Sequence, residues 1–64
     1  MTAMPKFKAG DRVVLSEAGF RLRWWNDSRG DHGIVEEAHI DLVAVKRDGA
    51  CCCGWYESNL WRKE

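Results

Sequence analysis

The dipeptide Asp48-Gly49 constrains this chain more than any other feature, because it separates Leu42-Val43-Ala44-Val45-Lys46-Arg47 from Ala50-Cys51-Cys52-Cys53-Gly54-Trp55-Tyr56. Asp-Gly supplies the positive φ angles of a type I′ turn, and the flanking runs are rich in residues that favour extended backbone, so the segment predicts a β-hairpin. With Asp48 and Gly49 as the loop, Arg47 faces Ala50, Val45 faces Cys52 and Val43 faces Gly54, while Ala44 faces Cys53 and Leu42 faces Trp55. Successive strand residues point to opposite faces, so this register places Cys52 inside as a small apolar residue and Cys51 and Cys53 outside.

The rest of the chain reads as short strands between turn signals, with no sustained helical periodicity. Gly10 introduces a first strand, Asp11-Arg12-Val13-Val14-Leu15, with Val13 and Leu15 on its inner face. From Ser16 to Asp31 the chain carries Gly19, Asn26-Asp27-Ser28 and Gly30, which predicts a long excursion with some hairpin character and marks the functional-loop candidate. Gly33 to Ala38 forms the second strand. Glu57-Ser58-Asn59 suits a single 3-10 turn, and Leu60-Trp61-Arg62 a brief closing strand beside the first. At 64 residues there is room for one core, so the expected organisation is an N-terminal tail over 1–8 and one domain over 9–63.

These runs resemble the SH3-like small barrels: G-D-R-V-V-L at 10 to 15, a long loop, G-I-V at 33 to 35, V-A-V-K-R-D-G at 43 to 49 and W-Y-E-S-N-L at 55 to 60. The layout is similar to KOW and mind-bomb-type domains and to short SH3-like proteins of bacteria and phages. The resemblance implies an all-β, five-stranded SH3-like barrel with a long loop between strands one and two and a 3-10 turn before the last strand. It implies binding of peptides, nucleic acid or the surface of a larger protein. The acidic, tyrosine-rich loop and the paired prolines and tyrosines of proline-peptide binders are missing from the sequence. So is the V-Q-x-Y run of the type II dihydrofolate reductase that shares the architecture.

Four tryptophans dominate the site reading, since each can bury about 150 to 250 Å². Either Trp24 or Trp25 folds down over one end of the barrel while Trp55 and Trp61 pack across the sheet, or some of these rings form a ligand platform. The candidate contact surface is the loop from Phe20 to Arg29, with Arg21, Arg23, Trp24, Trp25 and Arg29 as its contact residues, together with Trp55 and Tyr56 of the hairpin. They point first to an unidentified protein partner. Nucleic acid is the alternative, with the loop arginines, Lys46, Arg47, Arg62 and Lys63 contacting phosphates and the rings stacking on bases. Against it, Glu17, Asp27, Asp31, Glu36 and Glu37 make a solvated mixed-charge surface, and ten basic residues balance ten acidic ones.

No nucleophile and base can be assembled around His32 or His39, so no enzyme activity is expected. Adjacent cysteines on a strand cannot supply the four tetrahedral ligands of zinc, and no metal or other cofactor is expected. An odd, clustered set of cysteines lacks the spacing of a secreted disulfide framework. No apolar run reaches the roughly 18 residues of a membrane span. A cytoplasmic protein follows, monomeric or weakly self-associating through an exposed tryptophan.

Overall fold

A computed structural model describes residues 4–64 of the chain. Five strands form one antiparallel sheet: β1 (Arg12–Leu15), β2 (His32–Ala38), β3 (Leu42–Arg47), β4 (Gly54–Glu57) and β5 (Trp61–Lys63), in the order β4-β3-β2-β1-β5. The ladder therefore ends at β4 on one side and β5 on the other. A 3-10 turn, Ser58–Leu60, carries the chain from one edge to the other. The Cα radius of gyration is 11.0 Å, near the roughly 10.7 Å of a compact domain of this length.

Alternation explains the core. Val13 and Leu15 of β1, Val35 of β2, Val43 and Val45 of β3 and Trp61 of β5 project to one side and are buried. Phe7 and Trp25 join them from outside the sheet. Phe7 belongs to the segment expected as a tail, so part of that tail packs on the domain; residues 1–3 lie outside the described residues. In β2 the register slips by one between Val35, opposite Val45, and Glu37, opposite Ala44. This β-bulge lets both Val35 and Ala38 pack on the core side and bends the strand around it.

The hairpin forms, but its register differs from the expected one by two residues. Val45 pairs with Gly54, Ala44 with Trp55, Val43 with Tyr56 and Leu42 with Glu57. Among the described residues positive φ occurs at Gly49 (87°) and at no non-glycine residue, and the Ala50 N–H donates to the Arg47 carbonyl at 2.9 Å. That is the type II pattern, with its left-handed residue at the third position, and not type I′. Cys51, Cys52 and Cys53 consequently leave the sheet as an exposed loop, and Cys52 does not fill the interior. Packing accounts for the slip. The expected register sets Val43 against Gly54, which has no side chain, whereas the observed one sets it against Tyr56, whose ring meets Trp61 at 5.4 Å between centroids.

The excursion after β1 is more regular than its composition predicts. It holds helix α1 (Glu17–Leu22) and a 3-10 turn at Ser28–Asp31. Ser16 caps α1 by accepting from the Gly19 N–H at 3.2 Å, and its hydroxyl donates to the Asn59 carbonyl at 2.7 Å. One serine thus satisfies an orphan donor of the helix and fastens it to the turn before β5. Among the described residues no helix is long and apolar enough to cross a membrane.

Candidate functional site

The chain leaving α1 runs under a small set of interlocked side chains. Asp31 is 5% exposed, and its carboxylate accepts from one Arg23 nitrogen at 2.7 Å to each oxygen and from Trp25 Nε1 at 3.0 Å. A carboxylate so far from water is tolerable only when its oxygens are satisfied and its charge is met, as here. Asp31 is therefore a structural anchor and not part of the solvated surface expected from the sequence. Because both partners lie earlier in the chain, it pins the segment from Arg23 to Trp25 onto the 3-10 turn.

Trp25, so held, turns its ring to Arg47 at the end of β3. The Arg47 guanidinium lies 4.0 Å from the Trp25 ring centroid and 5.0 Å from that of Trp24, and its Nε donates to Tyr56 Oη at 3.1 Å. A planar, weakly hydrated cation suits this position, where it stacks on rings and still directs a hydrogen bond sideways. The two indoles meet edge to face at 90° with centroids 5.4 Å apart. Trp25 is buried and Trp24 is 76% exposed, so the pair divides into one core ring and one surface ring.

Beside Trp24 lies a cleft of about 80 Å³, floored by Leu15, Tyr56 and Leu60 and walled by Leu22, Arg23 and Trp24. Phe20 and Leu22 of α1 are exposed near it, and the Arg23 guanidinium sits 4.8 Å from the Phe20 ring centroid. Arg23, Trp24, Trp25 and Tyr56 of the expected site thus come together.

The other three do not join them. Arg21 bonds Glu17 on α1 at 2.8 Å, and Arg29 approaches Asp27 at 3.8 Å. Trp55 alternates with Tyr56 on β4, so it emerges on the outer face, where its ring lies 5.5 Å from that of His39. Phe20 and Leu22 lie within the expected contact loop, whereas the anchoring role of Asp31 and the helix that presents this apolar rim had no counterpart in the expectation. A Ser16 cap followed by Glu17 and Arg21 at helical spacing was the signal for α1 and hence for that rim.

Among the described residues no three His, Cys, Asp or Glu side chains are grouped to hold a metal ion. Comparison of the chain with protein-family models, curated proteins and solved structures finds no match in any of the three.

Proposed function

We propose that this chain is a small SH3-like barrel acting as a non-catalytic protein-interaction module, with Phe20, Leu22 and Trp24 around the Leu60–Tyr56 cleft as its contact face. The observation that carries the reading is Trp24: a 76% exposed indole held in place from behind by Trp25 and Arg47. A large ring fixed in water gains no burial in the free chain, and a pre-positioned tryptophan at the centre of an apolar patch is the side chain that most often dominates protein interfaces. Fixing it beforehand also lowers the ordering cost of association. The strand order β4-β3-β2-β1-β5, with a 3-10 turn leading into β5, supports the barrel reading. Free thiols at Cys51, Cys52 and Cys53 fit a reducing compartment such as the bacterial cytoplasm, where a phage-encoded or bacterial module of this type would work.

The pairing of the arginines weighs against nucleic acid. Arg21, Arg23 and Arg29 each face a carboxylate of this chain, so phosphate contacts would first have to break those pairs. Selection of displayed random peptides tests the proposal. The native chain should enrich binders, and Trp24→Ala should weaken them by about tenfold or more while leaving the fold intact. If instead single-stranded oligonucleotides bind with a steep salt dependence that Arg23→Ala reduces, the surface serves nucleic acid.

A further inference from the structure

The two-residue slip in the hairpin has expelled three consecutive cysteines from the sheet. All three are exposed and free, and none packs on the core or pairs in the ladder. Exposed consecutive thiols contribute nothing to stability and invite oxidation, so their presence has no packing explanation. Their arrangement is uneven. The Cys51 thiol points at Cys52 Sγ across 4.0 Å, and Cys53 makes no such approach. Two metal–thiolate bonds of about 2.3 Å span at most about 4.6 Å, so one ion can reach both sulfurs without moving the backbone.

We propose that Cys51 and Cys52 form a two-thiolate site for a soft, low-coordinate monovalent ion of the copper(I) class. Donor chemistry selects the ion: thiolates prefer soft cations, and copper(I) is stable with few ligands. Zinc needs four, and no third His, Cys, Asp or Glu is grouped with this pair among the described residues. On binding, two S–H bonds break, two S–Cu bonds form, and two protons pass to solvent while copper stays at +1. Affinity therefore falls as pH drops, by up to about a hundredfold per unit where both thiols start protonated.

The test is an anaerobic titration of the reduced full chain with copper(I) presented as its bathocuproine disulfonate complex, read by loss of the complex's colour. The native chain and Cys53→Ser should each withdraw one copper(I) per chain, and Cys51→Ser and Cys52→Ser should withdraw none. In copper-loaded native protein, iodoacetamide should modify Cys53 alone, a readout that needs no variant to fold. Equal copper retention by all three serine variants, equal loss in all three, or protection of Cys53 together with the other two would overturn the assignment.

Discussion

The Arg47 guanidinium stacks 4.0 Å from the centre of the Trp25 ring, at the junction of the sheet and the α1 segment. It also bonds Tyr56, so one side chain of β3 joins the β4 aromatic to both loop tryptophans. Replacing Arg47 by Ala should cost about 1 to 2 kcal/mol, combining a cation–π contact and a hydrogen bond. Arg47→Lys should recover less than half, because an ammonium has neither the flat face nor the sideways N–H. Urea denaturation followed by tryptophan fluorescence measures both, and a full rescue by Lys would show that charge alone matters.

Arg23 and Asp31 should behave as a unit. Removing Arg23 strands a buried carboxylate, and removing Asp31 strands both the guanidinium and Trp25 Nε1. Each single Ala variant should lose about 2 to 4 kcal/mol, somewhat below a fully buried pair because Arg23 retains 27% side-chain exposure. The double variant should cost clearly less than the sum, and additive losses would mean the pair is not coupled.

Gly19→Ala should destabilise, contrary to helix propensity, which favours Ala by about 1 kcal/mol. The added methyl would land on the Leu60 carbonyl oxygen and 2.6 Å from Leu15 Cδ2, where backbone cannot yield cheaply. A loss of about 1 to 3 kcal/mol is expected, as for overpacking elsewhere. A stabilised variant in thermal denaturation would show that α1 does not sit tightly on the turn before β5.

Asp48 carries a pH dependence. Hydrogen bonds from Arg12 at 3.1 and 3.2 Å, reinforced by its charge, hold the Asp48 carboxyl below the ordinary value of about 3.9. A carboxyl depressed by folding contributes stability above its unfolded pKa, and the contribution disappears as pH falls through the folded pKa. Arg12→Ala should therefore raise the Asp48 titration midpoint and shrink the acid-side loss of stability. Side-chain carboxyl NMR reads the midpoint directly, and an unchanged value would contradict the pairing.

The sheet was legible in the sequence because alternation and turn residues report it directly: Val13 with Leu15, and Val43 with Val45, face inward as the spacing requires. The hairpin register was less so. A slip of two residues keeps every side chain on its own face, so alternation cannot distinguish Val43 opposite Gly54 from Val43 opposite Tyr56. What decides is the fit of Tyr56 against Trp61, a contact between residues far apart in the pattern. The six-residue helix α1 escaped because it is shorter than two turns, too brief for periodicity. Within the site, the aromatics and Arg23 announced themselves, whereas Asp31 resembles any surface acid until its three hydrogen bonds are seen.

If Trp24 is the ring that meets a partner, as proposed, its own indole N–H resonance reports the contact. In the ¹⁵N-labelled native chain, adding a selected peptide should shift the Trp24 indole signal and the Phe20 and Leu22 amides, leaving the signal of the buried Trp61 in place. A peptide that binds tightly while moving only the Trp55 indole and the His39 neighbourhood would contradict the account and place the contact on the opposite face of the sheet.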